Sequence, residues 1–447
     1  MSEFVVLGLL IQVIALGLLF AKVGRTWHRH LGAIFILMAV LYHGIGEIFI
    51  ALFPGHNPYR PLFDPKYLGQ FVLLVSVAIL VFTIAYVRAI GKRPGPAPPT
   101  DTPDAALTKR IFDYRLMLLI TAPLLILTLG GQGFGSNGGL QGGASVGATL
   151  GLTQQYFILG IVLSSFGFVM RFGRRWAVRV LVAESLMLAL VGERLAILTG
   201  AVMLIYALSR FGMKLKRRSV IFGLVLIVLF AWAITAARGA EGRYKVTSGG
   251  SVRLTFLTTG LSNLFSPSTE RGFADTLGYR LDGNSYGAMS LEALDNGSSP
   301  VGFTPLKNDV LLAIPSFLNP NKDRTTVEHR SEKLYVEQHL PIAGVLPDIL
   351  PTQLGGLTGI LGPIGLMFAA IALGLAFAAL DRWLRRGLGP MRMLVSLGVL
   401  YSVLDYEGTW DTYTTTARGI LLLLALIGTI LAIRQLAQRA NPVGQFP

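Results

Sequence analysis

Residues 180–208 read VLVAESLMLALVGERLAILTGAVMLIYAL. Taken alone, this run could be one long tilted helix, because it is mostly apolar and its only charged residues are Glu184, Glu193 and Arg194. The flanking charges decide otherwise. Arg171, Arg174, Arg175 and Arg179 precede it, and Arg210, Lys214, Lys216, Arg217 and Arg218 follow it. Loops rich in Lys and Arg stay on the cytoplasmic side of a membrane. Two such loops on either side of one run require an even number of crossings, so the chain must turn back at Val191-Gly192-Glu193-Arg194.

Working outward, the whole chain fits a membrane reading. It has 447 residues, 52% hydrophobic and only 14% charged, and its mean hydropathy is +0.59. This composition belongs to a polytopic all-α membrane protein. Counting the two halves of the opening run, apolar runs near the roughly 20 residues that cross a bilayer lie at 4–23, 31–53, 68–90, 112–130, 156–170, 177–191, 195–209, 219–237, 356–380, 391–405 and 416–433. About eleven transmembrane helices are therefore expected. Basic residues fall in every second connection: Lys22, Arg25 and Arg29, then Arg88 to Arg115, then the two clusters above, then Arg382 to Arg392, and last Arg434 and Arg439. The amino terminus is expected outside and the carboxyl terminus inside. The first run has no basic residue before it and no small-residue cleavage signal after it, so it reads as a retained helix.

Three regions follow. Residues 1–237 carry helices one to eight, with a cytoplasmic Pro-rich linker at 91–110; residues 238–355 form a large outer loop; residues 356–447 carry the last three helices and a cytoplasmic tail. A Gly-rich stretch at 131–155 lacks the Gly-Lys-Ser/Thr ending of a phosphate cradle and reads as an outer connection. The large loop holds apolar segments such as FLTTGLSNLF from Phe256 and VLLAIPSFL from Val310. They predict short helices lying on the membrane surface.

The formal charge of +15 would suggest nucleic acid in a soluble protein, but here it follows topology, and no nucleic-acid partner is implied. With no cysteine, disulfides, iron-sulfur clusters and thiolate metal sites are excluded. The six histidines form no HExxH, and no DxD pair holds a divalent ion, so no metal or cofactor is expected. Cations crowd the outer loop instead: Arg238, Arg243, Lys245, Arg253, Arg271, Arg280, Lys307, Lys322, Arg324, Arg330 and Lys333. Acids such as Asp282 and Asp309 can neutralise many of them by ion pairing. A remaining subset suits an anion, because guanidinium groups match phosphate oxygens in pairs. Polar groups in or near the membrane mark function by default. They are Arg194 beside Glu193, Glu184, Arg418, and His43 with Glu47, the last two one turn apart and able to pair on one helix face.

The loop then shows three segments: RLDGNSYGAMSLEAL from Arg280, PVGFTPLKNDVLLAIPSFLNPNK from Pro300, and LPDILPTQLGGLTGILGPIG from Leu346 into the next helix. Together with GERLAILTGAVMLIYAL from Gly192, these resemble the Wzy-type family of bacterial O-antigen and exopolysaccharide polymerases. The matching features are Arg280, Pro300 with Gly302, Ile314-Pro315 to Pro320 with Lys322, the Gly355 to Gly365 re-entry, and Arg194. Ser316 and Asp323 depart from the family pattern, which bears on substrate detail. The resemblance implies a glycosyltransferase C-type helical fold at the bacterial cytoplasmic (inner) membrane, with its active site facing the periplasm. It implies a metal-independent glycosyltransferase that transfers a growing glycan from a polyprenyl-diphosphate carrier to another lipid-linked repeat unit. The implied partners are that glycan, membrane lipid and a chain-length regulator.

On this reading Arg194, Arg280, Arg418 and His329 are the catalytic residues expected, and Lys322, Arg330, Arg243, Arg238 and Glu193 those that bind substrate. Cations around the departing diphosphate would stabilise its charge. Glu328, Glu337 and His339 stand with His329 as possible bases, unranked. AIPSFLNPNK, residues 313–322, is expected to form a rigid bend that turns Lys322 toward the diphosphate. An O-antigen ligase, sharing donor and architecture, and a polysaccharide transporter are the alternatives. Transporters tend to show internal repeats and broken helices at mid-membrane.

Overall fold

The structure is a computed structural model that describes residues 2–53, 57, 59–91, 102–131, 154–191, 194–213, 225, 278, 280–312, 314, 351–408 and 410–440. Every regular element among them is helical. We number the helices α1 (Glu3–Val23), α2 (Leu31–Leu52), α3 (Pro65–Ala89), α4 (Pro103–Ile111), α5 (Tyr114–Gly131), α6 (Gln154–Phe172), α7 (Ala177–Val191), α8 (Arg194–Arg210), α9 (Ser285–Asp295), α10 (Thr304–Leu312), α11 (Gln353–Arg385), α12 (Pro390–Leu404) and α13 (Asp411–Ala440). Six of them, α1, α2, α3, α6, α11 and α13, are long and apolar enough to cross a membrane. The chain is thus a multi-pass helical membrane protein. Helices α8 and α12 are apolar but shorter.

The opening run is indeed two helices, α7 and α8, packed against each other. Helix α3 is the axis of a first group, with α1 and α11 along it and α2 and α9 beside it. Close approach needs small residues. A side chain at Gly32 would strike the Tyr86 ring at 2.3 Å, and one at Gly374 would meet the Phe82 carbonyl at 2.6 Å. A second group joins α5, α6, α7 and α8, and α12 and α13 connect the two. Outward faces stay apolar, as on α1 at Leu10, Val13 and Ile14, which suits lipid.

One end of the bundle is basic and tightly tied. Asp381 accepts from the Leu31 and Gly32 amides at 2.9 and 3.1 Å and from the Tyr86 hydroxyl at 2.7 Å, so it satisfies the orphan donors that open α2. Arg210 donates to the Leu384 carbonyl at 2.7 Å and Arg385 to the Ile90 carbonyl at 2.8 Å, closing the ends of α11 and α3. His30, between α1 and α2, is buried here. Burial, then the charges of Arg385, His28 and Arg29, lower its pKa to about 4.

Of the two segments expected to form surface-lying helices, the one from Phe256 lies outside the described residues and the one from Val310 is described only at 310–312 and 314. Helix α9, which neither covers, is not at the surface. Ser285 to Ser290 are all buried, and α9 packs between α3 and α11. The reason is its small residues. Gly287 lets the Phe71 ring approach to 2.1 Å from where a Cβ would stand, so the helix sinks into the bundle. Helix α10, by contrast, exposes Phe303 and Val310 around its first and last turns and packs on α13.

Helix α11 carries the Gly-rich re-entry as a short first segment, then a break at Gly362 (φ 73°) before Pro363. The missing proline donor and the left-handed glycine free the carbonyls that precede them. The Val301 and Gly302 amides take these up, donating to Gly359 and Ile360 at 3.3 and 2.9 Å. The Pro300–Gly302 motif therefore caps a broken membrane helix. Gly302 itself needs φ 81° to do so.

Candidate functional site

At the end opposite the basic cluster, α2 departs from regular helix. Residues Leu41–Ile45 form a π-turn, closed by the Gly46 amide on the Leu41 carbonyl. Such single-turn bulges re-aim side chains and occur often at functional sites. Its Tyr42 and His43 point at the turn between α12 and α13. The Tyr42 hydroxyl donates to Glu407 Oε1 at 3.0 Å, and His43 Nε2 lies 3.2 Å from the Tyr406 hydroxyl. Two neighbours on α2 thus hold two neighbours of the turn.

The loop entering α9 presses on the same bulge. A Cβ at Gly46 would lie 2.1 Å from the Leu281 carbonyl oxygen, and one at Gly283 would lie 3.2 Å from the His43 ring. Asn284 then fills the gap. Its carbonyl oxygen is 2.9 Å from His43 Nδ1, and its amide group donates to the His43 carbonyl at 3.2 Å and to Glu47 Oε2 at 3.0 Å. The sequence pairs His43 directly with Glu47; in the structure Asn284 stands between them. One Asn284 side chain reaches both, so the two still share a face and are bridged rather than paired.

Arg60, from the short connection between α2 and α3, completes the network. Its guanidinium bonds Glu47 at 2.6 and 3.2 Å and Asp282 Oδ1 at 3.3 Å. Burial opposes the charged form, but Asp282 and Glu47 outweigh it, and the pKa of Arg60 is held above its usual value. Asp282 also accepts from Asn57 at 2.6 Å, from the Asn284 and Ser285 amides at 3.1 and 3.0 Å, and from the Ser285 hydroxyl. It caps the start of α9. Tyr406 is fully buried, and burial followed by Tyr413 raises its pKa, so it stands as a neutral phenol.

Arg280 lies at the accessible edge. Its Nη1 donates to Glu407 Oε2 at 2.7 Å, with 32% of the Arg280 side chain and 17% of the Glu407 side chain exposed. Gln353 braces the turn from below. Its side-chain amide donates to the Ser402 carbonyl at 2.6 Å, its backbone amide to the Tyr406 carbonyl at 3.2 Å, and it accepts from Tyr413 and Trp410 at 3.0 Å each. The loop arginine is thereby joined to α2, α11 and the α12–α13 turn.

Among the other residues expected at the site, Arg418 is half-buried two turns into α13. Arg194 opens α8 at the end opposite Arg210, and its side chain is outside the described residues. His329, Lys322, Arg330, Arg243, Arg238 and Glu193 lie outside the described residues, as does most of the AIPSFLNPNK bend. Glu407, Arg60, Asn284 and Tyr406 were missed by sequence reasoning as site residues. Their one signal is the density of polar residues in short connections between spans. Among the described residues, no group of three or more His, Asp or Glu is arranged to hold a metal ion.

No family model matches the chain, nor does any curated protein or solved structure. The chemistry of this site therefore carries the functional reading.

Proposed function

We propose that the protein is a polysaccharide polymerase. It joins polyprenyl-diphosphate-linked oligosaccharide repeat units at the outer face of a bacterial cytoplasmic membrane, in a bundle of about eleven spans of the glycosyltransferase C type. The basic end faces the cytoplasm and the Arg280 end faces the periplasm, in line with the charge rule. The observation that carries the reading is Arg280. It is the arginine of the segment that resembles the polymerase family, and its guanidinium is half-exposed beside a carboxylate on a turn between two spans.

In the reaction, the bond between the donor sugar's anomeric carbon and its diphosphate oxygen breaks, and the electron pair stays on that oxygen. A hydroxyl oxygen of the acceptor repeat unit bonds to the same carbon and loses its proton. Arg280 offers paired donors to the negative charge growing on the diphosphate. Arg194, Arg418, Lys322, Arg330, Arg238 and Arg243 are the further cations of this proposal, with Glu193 and His329 beside them.

The break in α11 is a feature of transporters as well. In those proteins freed carbonyls receive an ion, whereas here the Val301 and Gly302 amides occupy those of Gly359 and Ile360. This favours a rigid scaffold over a moving gate.

The test is elongation by purified protein in nanodiscs supplied with defined polyprenyl-diphosphate oligosaccharide. A product ladder is expected from the wild type, and Arg280→Ala should insert normally yet lose it. Elongation at the wild-type rate by Arg280→Ala would remove that residue from the site.

A further inference from the structure

We infer that Glu407 is the general base of the glycosyl transfer, accepting the acceptor hydroxyl's proton while Arg280 turns to the departing diphosphate. This deepens the polymerase reading and rests on it.

The carboxylates of the network differ in what they can reach. Side chains of Asp282 and Glu47 are 0% and 5% exposed, and both are engaged by Arg60. His43 is fully buried, with Asn284 and Tyr406 at its two ring nitrogens. Glu407 is the member with 17% of its side chain exposed, and it sits on the short turn between α12 and α13. Among the described residues, each of its oxygens takes one donor, the Tyr42 hydroxyl on Oε1 and Arg280 on Oε2. A carboxylate has about four acceptor positions, so both oxygens retain room for a substrate hydroxyl.

Its surroundings are built to hold it still. Tyr42 comes from the π-turn, His43 and Gln353 fix the neighbouring Tyr406, and Arg280 comes from the loop. A base supported in this way is oriented before substrate arrives. The pairing with Arg280 adds a coupling. While the site is empty, the guanidinium engages the carboxylate. A diphosphate carries more negative charge and offers oxygens in the matching geometry, so it draws the guanidinium away. The carboxylate then loses its cation at the stage when the acceptor hydroxyl must give up a proton. That proton moves to Glu407, the sugar–oxygen bond forms, and polyprenyl diphosphate leaves. The proton returns to water through the exposed edge.

The experiment compares wild type, Glu407→Gln, Glu407→Asp and Tyr42→Phe, each as full chain in nanodiscs. Elongation is followed, and retention of radiolabelled lipid-linked donor is measured in parallel. Glu407→Gln is expected to elongate at least 100-fold more slowly and to keep donor binding within threefold. Glu407→Asp should recover part of the rate. Tyr42→Phe removes one orienting donor but keeps the carboxylate and the arginine, so it should lose rate by a smaller factor than Glu407→Gln. The assignment is overturned if Glu407→Gln elongates within threefold of wild type, if its donor binding falls as far as its rate, or if Tyr42→Phe loses as much. A wild-type protein that binds donor but builds no ladder overturns the polymerase reading, and the base with it.

Discussion

Replacing Arg60 by alanine should be the most damaging single change in the polar network. Its guanidinium lies 2.6 Å from Glu47 and 3.3 Å from Asp282. At an effective dielectric near 20, these contacts are worth roughly 6 and 5 kcal/mol before desolvation. Removing three ions from water consumes most of that gain, so the intact triad adds little net stability. Deleting the arginine alone is different. It strands two carboxylates in a site where Asp282 and Glu47 are 2% and 4% exposed. The expected loss is about 3–5 kcal/mol. Unfolding in mixed micelles with increasing denaturing detergent, followed by helical circular dichroism, would measure it. The triple variant Arg60→Met, Glu47→Gln, Asp282→Asn removes all three charges together and should recover most of the loss. Arg60→Ala within 1 kcal/mol of wild type would refute the reasoning, because it would mean that water or another cation already neutralises both acids.

Two further outcomes can be checked by the same unfolding assay. Gly46→Ala places a methyl 2.1 Å from the Leu281 carbonyl and should destabilise by about 1–3 kcal/mol, whereas Gly17→Ala, with nothing within 4 Å, should stabilise slightly. His30 sets a pH dependence. Unfolded, its imidazole takes up a proton below about pH 6.5, but folded only near pH 4, so stability falls as pH is lowered through that window. The drop from pH 7.5 to 5 should be about 2 kcal/mol, and His30→Phe should flatten it.

Much of the architecture was legible without coordinates. Apolar runs are readable because lipid demands about 20 residues of satisfied backbone per crossing, whatever the neighbours are. Basic clusters forced the 180–208 run into two helices, and two helices are found there. The site was legible only in outline. Arg280 stood out through its segment, and Asp282 was named as an acid able to neutralise a cation, which it does. The cation is Arg60, however, from a connection more than two hundred residues earlier, a pairing no periodicity encodes. Glu407 likewise looked like one more polar residue in the turn DYEGTWDTYTTTAR.

The sequence by itself determined that this chain is a helical membrane protein, which connections are basic, and where its loop arginine lies. Local composition suffices for these, since partitioning between lipid and water is decided residue by residue. Only the tertiary structure decided that α9 sinks between α3 and α11, that a π-turn aims Tyr42 and His43 at the α12–α13 turn, and that Arg280 meets Glu407. Those outcomes depend on which small residues let helices approach and on which charges remain to be paired once they have.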